Sequence, residues 1–201
     1  MREVTTTGAD LPAMSPERAI EVGAALFAEK GYATTTTREI SRALGITNGT
    51  FYYYFSSKED LLVQICQNSL ERIIYEATKA VEQADSPLEK LTMLIRAHVS
   101  TMLSQQELHK TMIIEIRALS GTNLELVVRR RDDYEALVLS VLAEAQKAGA
   151  IRRNASPNVL SLLLLNLLNW TIVWFSPTGP LTEQDIASEM VELFLEGARP
   201  R

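Results

Sequence analysis

The segment from Thr47 to Phe55 gathers hydroxyl, amide and aromatic side chains that could bind nucleic acid. If this segment is a helix, Phe51, Tyr54 and Phe55 lie on one side of it, and we expect that side to face a hydrophobic core. The opposite side would present groups that hydrogen-bond to phosphates and to base edges in a DNA groove. The residues expected there are Thr47, Asn48, Gly49, Thr50, Tyr52 and Tyr53.

The flanking residues predict two short helices joined by a tight turn. Thr36 is a suitable N-cap for a helix over residues 37–44, because Glu39 follows it at the spacing of a capping box. Gly45 ends that helix, and a short turn leads into the aromatic segment, which is the pattern of a helix-turn-helix. Helix N-termini and nearby cations bind phosphates, so the flanks add further candidate DNA contacts. These are Thr36, Thr37, Arg38 and Lys58.

The composition is that of an ordinary globular protein, with 201 residues, of which 46% are hydrophobic and 22% charged. The net charge is -5, so any basic DNA-binding surface must be local. Residues 1–14 lack the pattern of a signal peptide and predict a loose arm on a cytoplasmic protein. Cys66 is the single cysteine, and we expect it to be a small buried residue in a reducing compartment.

The sequence shows no arrangement of residues that predicts catalysis. It lacks a defensible Ser-His-Asp or Cys-His set, a glycine-rich phosphate loop and a cluster with metal-ligand spacing. We therefore expect a protein that is not an enzyme and that carries no metal or cofactor. His98 lies on an apolar stripe and is expected to be a hydrogen-bonded core residue.

Apolar residues recur at helical spacing along the whole chain and predict an all-α fold. Three helices beginning after Ser15-Pro16 would form a small N-terminal domain, from which a connecting helix runs from residue 58 to about 84. A boundary is expected at residues 85–87, where Ser86 caps a new helix and Glu89 completes a capping box. Residues 1–62 are assigned to the arm and the helix-turn-helix domain, and residues 85–201 to a larger helical domain.

The larger domain contains two strongly apolar helices near its end. A capping box at Thr122 to Glu125 predicts the start of a long helix that ends at Gly149. The stretch from Val159 to Phe175 is apolar all round, but it is short and contains asparagines, which favours a helix buried on more than one face over a membrane span. With a last helix from Thr182 to about Gly197, it predicts a four-helix interface in a homodimer that has no membrane partner.

These motifs resemble the tetracycline-repressor (TetR) family of bacterial transcription regulators. The resemblance lies in residues 24–32, in Thr36 to Ile40 and in the segment from Gly45 to Glu59. It implies a homodimer that binds a double-stranded DNA operator through the N-terminal domain and an effector through the larger domain, and it favours a repressor over an activator. The family often has lysine at the position of Asn48. Residues 15–62 hold five Lys or Arg against six Asp or Glu, so we expect binding to depend on dipoles, hydroxyls and dimer geometry.

The C-terminal part looks similar to regulators of fatty-acid and steroid breakdown that sense acyl-coenzyme A thioesters. The similarity lies in residues 169–171, 174–175, 177 and 179–181 and in the last helix. It implies a small hydrophobic or acyl-CoA effector in a pocket with apolar walls and some cations. The candidate pocket residues are Met93, Arg96, Met102, Met112, Arg117, Tyr134, Trp170 and Trp174, with Arg129 to Arg131 as further cations.

Each of these candidates has an alternative interpretation. The methionines and tryptophans also suit a core or a dimer interface, and the arginine run followed by Asp132-Asp133 suits a solvated surface. For the whole chain, the alternative is a helical dimer that binds a small molecule or a protein and no longer reads DNA. Asn48 is the feature that favours this alternative.

Overall fold

The computed structural model describes residues 15–198, so the predicted arm at residues 1–14 lies outside the described residues. Within this range the chain is all-α and contains no strand, as predicted. The helices are α1 (Pro16–Lys30), α2 (Thr37–Leu44), α3 (Asn48–Tyr54), α4 (Lys58–Glu82), α5 (Pro87–Ser104), α6 (Gln106–Glu115), α7 (Gly121–Lys147), α8 (Pro157–Trp174) and α9 (Glu183–Ala198). A short 3₁₀ helix, Ile116–Ala118, follows α6.

Local capping explains where the N-terminal helices begin. The Thr36 hydroxyl accepts a hydrogen bond from the Glu39 amide, and the Glu39 carboxylate accepts one from the Thr36 amide, which confirms the predicted capping box. Gly45 ends α2 in a left-handed conformation with φ 71°, which glycine adopts without steric cost. Thr47 and Ser57 cap α3 and α4 by accepting from a backbone amide in the same way as Thr36.

Two predicted caps differ in detail. The helix α7 begins at Gly121, so Thr122 lies inside its first turn and the predicted capping box at Thr122 does not form. The turn before α7 lies earlier in the chain than predicted. Leu119 is buried there, and Gly121, with a positive φ of 51°, allows the change of direction. At the start of α5 the Glu89 carboxylate accepts a hydrogen bond from the Asp85 amide and not from the Ser86 amide, which the capping box predicts.

Two hydrophobic cores meet along α4. One core contains the buried faces of α1, α2 and α3 and the first part of α4, but it also includes side chains from α6 and α7. The other contains the rest of α4 with α5, α7, α8 and α9. Leu70 belongs to the first core and Ile73 to the second, so a single turn of α4 connects them.

The helix α8 is buried on one side only. Leu160, Leu164 and Leu168 lie in the second core, whereas Leu163 and Trp170 on its outer side are more than half exposed. By length and composition α8 could cross a membrane, although a third of it is buried inside the fold. A single copy of the chain therefore does not cover the second face that the sequence analysis expects to be buried.

Two histidines and the cysteine are among the buried residues that can ionise. His98 is fully buried and its Nδ1 lies 2.7 Å from the Tyr134 hydroxyl, which confirms the prediction of a hydrogen-bonded core histidine. His109 is also fully buried, with its Nδ1 2.7 Å from the Ser69 hydroxyl. Cys66 is buried as predicted, and desolvation raises the pKa of its thiol to about 12, so it stays protonated.

The two histidines should make the fold sensitive to acid. Burial lowers the pKa of His98 to about 3 and that of His109 to about 4. The unfolded chain binds these protons below about pH 6.5. The neutral histidines therefore contribute their full share of the unfolding free energy above that pH. This contribution is lost as the pH falls toward 4, by up to roughly 1.4 kcal/mol per pH unit for each histidine.

We expect His109→Gln to reduce this pH dependence. Urea unfolding of the variant and of the wild type between pH 7 and pH 4.5 measures the slope of the unfolding free energy against pH. The carboxylates contribute equally to both proteins, so the difference isolates the histidine. The exposed substitution Tyr75→Phe serves as the control and should keep the wild-type slope. Identical slopes for His109→Gln and wild type would contradict the assignment.

Candidate DNA-reading surface and effector cavity

The helix α3 and the residue that ends it pack on the core with two phenylalanines, and the other side of α3 is exposed to solvent. Phe51 and Phe55 are fully buried, whereas Tyr52 is 50% and Tyr53 84% exposed. Exposure of large aromatic groups is unusual on a surface that has no partner. The prediction that Tyr54 lies in the core is wrong: it is exposed, with its ring edge-on to Tyr53 at a centroid distance of 5.2 Å. A helix of two turns can bury only its central side, and Tyr54 lies beyond the edge of that side.

Hydrogen bonds between α2 and α3 orient the candidate contacts. The Ser41 hydroxyl lies 3.3 Å from Asn48 Oδ1, so the Asn48 amide nitrogen is left to donate elsewhere. The hydroxyls of Thr37 and Tyr52 are 3.4 Å apart and join the two helices at their exposed side. Together these bonds hold polar groups of both helices on one surface.

The remaining polar candidates lie at helix starts. Thr47 caps α3 and bonds the amide and the hydroxyl of Thr50, the latter at 2.9 Å. Thr36 caps α2. Arg38 is exposed and forms no ion pair with the residues that the structure describes. The exposed residues of α2 and α3 form what we call the DNA-reading surface. It includes the N-termini of both helices and an arginine beside them.

Gly49 has a different property from its neighbours. It lies exposed in the first turn of α3, and a Cβ added there would meet only the Thr47 hydroxyl, at an ordinary 3.7 Å. The fold itself therefore does not require glycine at this position. A requirement for glycine would have to come from a partner that approaches the backbone.

Lys58 has a structural role that the sequence analysis did not predict. Its Nζ donates to the carbonyl oxygens of Tyr32 at 2.7 Å and Thr35 at 2.8 Å, and it lies 4.2 Å from the centre of the Tyr32 ring. Burial lowers the pKa of Lys58, and the nearby carboxylate of Glu115 opposes that shift. The ammonium group joins the start of α4 to the loop between α1 and α2, so it is not simply a free charge for phosphate.

A cavity of about 340 Å³ lies between α4, α6, α7 and α8. That volume is in the range of small-molecule sites. Its walls are mostly apolar and its polar groups lie on α7 and α8. The lining residues are Leu70, Ile73, Met112, Ile113, Ile116, Arg131, Tyr134, Glu135, Leu162, Leu165, Asn166 and Asn169.

The structure brings only part of the predicted pocket set to this cavity. Met112, Tyr134 and, from the arginine run, Arg131 line it. Trp170 and Trp174 lie on the outer side of α8, 62% and 49% exposed. The structure therefore places both tryptophans away from the cavity.

The other predicted pocket residues lie on α5 and beyond α6. Met102 is fully buried in the second core, and Met93 is half-buried on the same helix. Arg96 is exposed and donates to the Ser188 hydroxyl of α9 at 3.3 Å. Arg117 is exposed in the 3₁₀ helix. These four do not line the cavity.

The sequence analysis missed the cavity walls supplied by α4 and α8. In the sequence, Asn166 stands out only as a polar interruption of an apolar helix, and Asn169 also as part of the similarity to acyl-CoA-sensing regulators. Their spacing of three residues places both on one side of α8, and that side borders the cavity. Paired asparagines on one side of an apolar helix were therefore the available signal.

An all-helical chain with a helix-turn-helix and a separate helical cavity defines the class of one-component DNA-binding regulators. This chain belongs to the tetracycline-repressor (TetR) family. Residues 19–65 match the model of bacterial regulatory proteins of the tetR family, and residues 84–198 match the tetracyclin repressor-like C-terminal domain. It is therefore a helix-turn-helix transcription regulator and not an enzyme, and dimers and ligand binding are typical of its family.

Several individual regulators are similar to it over most of their length. The transcriptional repressor KstR2 of Mycolicibacterium smegmatis is 25% identical over 92% of this chain and 91% of its own. The structure of the TetR family regulator PfmR from Thermus thermophilus is 30% identical, with a TM-score of 0.83 over 89% of this chain and 97% of that one. The structure of AibR with isovaleryl coenzyme A and operator DNA is 25% identical, with a TM-score of 0.79 over 89% and 96%.

Gly49→Ala should separate folding from DNA binding. Alanine favours a helix by up to about 1 kcal/mol over glycine, so the melting temperature should stay the same or rise. The added methyl group should weaken DNA binding at least several-fold, because it would stand between the helix backbone and the groove. The control is Tyr75→Phe, which removes an exposed hydroxyl from α4 and lies outside the DNA-reading surface. Unchanged DNA affinity in Gly49→Ala would show that α3 does not approach DNA closely.

Two cation substitutions should differ in their effects. Lys58→Met removes two hydrogen bonds to carbonyls and should lower the unfolding free energy by roughly 1–2 kcal/mol. Arg38→Met should leave stability unchanged but reduce the dependence of log affinity on log salt by about one. Thermal unfolding and DNA titration at several salt concentrations measure both effects. An unaltered melting temperature for Lys58→Met would argue against its structural role.

Proposed function

We propose that this protein is a homodimeric repressor that binds a palindromic operator and is released from it by a small hydrophobic or acyl-CoA effector. One observation carries the proposal. Leu70 and Met112 belong to the core of the DNA-reading head, which is formed by α1, α2, α3 and the first part of α4, and they also form part of the cavity wall. A molecule that occupies the cavity therefore presses on side chains that hold the head in place, and a ligand that favours one arrangement of them changes operator affinity.

The chemistry of the cavity suits a ligand with an apolar body and an anionic end. The walls from α4 and α6 are aliphatic, and Arg131 is the arginine among the lining residues. Its side chain is 55% exposed, so it lies toward solvent, and its nearest carboxylate is that of Asp132 at 3.9 Å. An acyl chain would fill the interior, and Arg131 would bind a phosphate of coenzyme A outside it.

The similar proteins support a repressor and an acyl-CoA ligand. KstR2 is a transcriptional repressor, and AibR has been solved with isovaleryl coenzyme A and operator DNA together. We extend those properties to this chain as a hypothesis. A regulator of this kind acts on DNA in the cytoplasm.

The outer sides of α8 and α9 supply the proposed dimer interface. Leu163, Trp170 and Trp174 on α8 and Leu193 on α9 are largely exposed in one copy. Two copies related by a twofold axis would bury these apolar groups as four helices packed together. The two copies of α3 would then read half-sites about one helical turn apart, near 34 Å, on a palindrome.

The proposed DNA contacts are the exposed polar groups of α2 and α3 and the helix starts beside them. The set is Thr36, Thr37, Arg38, Thr47, Asn48, Gly49, Thr50, Tyr52, Tyr53 and Lys58. Lys58 is the least independent member because its ammonium group is already hydrogen-bonded. We expect the tyrosine hydroxyls and amide groups to contribute more than net charge.

The direct test is fluorescence anisotropy with labelled DNA from upstream of the protein's own gene. We expect salt-sensitive binding to a palindrome and release by acyl-CoA, with chain length affecting potency because a cavity of about 340 Å³ limits the acyl chain that it can hold. Arg131→Ala should require about tenfold more acyl-CoA for release, the effect of losing one charged hydrogen bond. Arg129→Ala is the matched control, since Arg129 pairs with Glu125 and does not line the cavity.

The same titration distinguishes the alternative function. If no palindrome is bound at any salt concentration while the chain still binds acyl-CoA, the protein is a helical ligand-binding dimer that does not read DNA. If DNA is bound but no acyl-CoA releases it, the effector belongs to another chemical class.

A further inference from the structure

A buried polar network lies directly behind the wall of the cavity. Tyr134 lines the cavity, is almost completely buried, and has its hydroxyl 2.7 Å from Nδ1 of His98. His98 itself is fully buried on α5. Asn169 of α8 also lines the cavity and lies close to His98. Three polar side chains from three helices therefore meet at one place behind the cavity wall.

His98 is uncharged in this position. Burial lowers its pKa to about 3, the neighbouring imidazole of His109 lowers it further, and the Asn169 side chain offsets a small part of the shift. A neutral imidazole carries one proton, so one ring nitrogen donates and the other accepts. With the proton on Nδ1, His98 donates to the Tyr134 oxygen, and the Tyr134 hydroxyl proton is left to bond to another acceptor.

One nitrogen atom of this network lacks a hydrogen-bond partner within the described residues. His98 Nε2 is buried and has no hydrogen-bond partner of good geometry among the residues that the structure describes. Buried polar groups without partners are rare and destabilising, and they concentrate at sites with a function. Asn169 lines the cavity and its side chain also lies close to His98, so a ligand that orders the Asn169 amide would complete the network.

We propose that Tyr134 and Asn169 bind the carbonyl oxygen of the effector by donating hydrogen bonds to it, with His98 as the residue that positions the Tyr134 hydroxyl. This inference rests on the proposed function and specifies the chemistry of its ligand. Among the described lining residues the charged ones are Arg131 and Glu135, both on α7, and Arg131 is more than half exposed. The inner wall formed by Tyr134 and Asn169 is thus neutral.

The neutral wall should select between related ligands. A thioester or a ketone brings an uncharged acceptor, which this wall can satisfy. A free fatty acid would bring a carboxylate to a buried place without a cation, which is strongly unfavourable. The protein should therefore respond to an activated acyl group and not to the free acid.

Calorimetric titration with two probes tests the inference. Octanoyl-CoA and its thioether analogue S-octyl-CoA differ by the carbonyl oxygen, and wild-type protein should bind the thioester about tenfold more tightly, the effect expected for one well-made hydrogen bond. Octanoate should not compete with either. Tyr134→Phe and Asn169→Ala should each reduce the difference between the probes while retaining the affinity for the thioether.

His98→Gln tests the positioning role. We expect it to reduce the discrimination between the two probes, because the Tyr134 hydroxyl loses its fixed orientation, while the affinity for the thioether changes little. Tyr75→Phe, which removes an exposed hydroxyl outside the cavity, should keep the full discrimination. A network with only a structural role would weaken both probes equally in His98→Gln and Tyr134→Phe, and that result would overturn the inference.

The remaining outcomes are also decisive. Equal binding of both probes by wild type, with operator release by octanoyl-CoA intact, overturns the carbonyl site but leaves the proposed function standing. Failure to bind either probe, with operator binding intact, overturns the acyl-CoA part of the proposed function and this inference with it.

Discussion

The helix α6 must bury side chains toward the DNA-reading head and toward the cavity at once, and the rest of the structure depends on this double burial. Leu108 packs in the head core, Ile113 borders the cavity, and Met112 does both. The buried hydroxyl of Thr111 donates to the carbonyl oxygen of Ala24 in α1 at 2.9 Å, which fixes α6 to the head. Close-packed side chains cannot shift singly, so in the proposed mechanism a ligand in the cavity would move α6 against α1.

This arrangement blurs the boundary between the head and the larger domain. The capping pattern at Ser86 marks a real helix start, but the head core takes Leu108, Met112, Leu119 and Val127 from beyond it. A head cut off after residue 62 would lose these contacts and expose apolar surface. The contacts that stabilise the head are therefore the ones that would carry the proposed coupling between the two sites.

Local features of the structure could be predicted from the sequence, and features set by distant contacts could not. The start of α2 at Thr36 and its end at Gly45 follow from capping and backbone freedom within a few residues. Lys58 bonds carbonyls more than twenty residues earlier in the chain, and no local pattern indicates that. For the same reason Tyr134 lines the cavity whereas Trp170 does not: both suit an apolar wall, and only the packing of α7 and α8 decides which one faces it.

The nearly neutral charge of the head and the exposed apolar side of α8 both fit a protein that binds DNA as a dimer. A head with few free cations gains little from counterion release, so a single copy should bind DNA weakly. Two copies held at a fixed spacing bind the second half-site as an intramolecular event, which raises affinity without any new contact. In the proposed dimer the apolar groups around Leu163, Trp170 and Leu193 would hold the copies together, and their burial would strengthen DNA binding although they lie far from α3 in the chain.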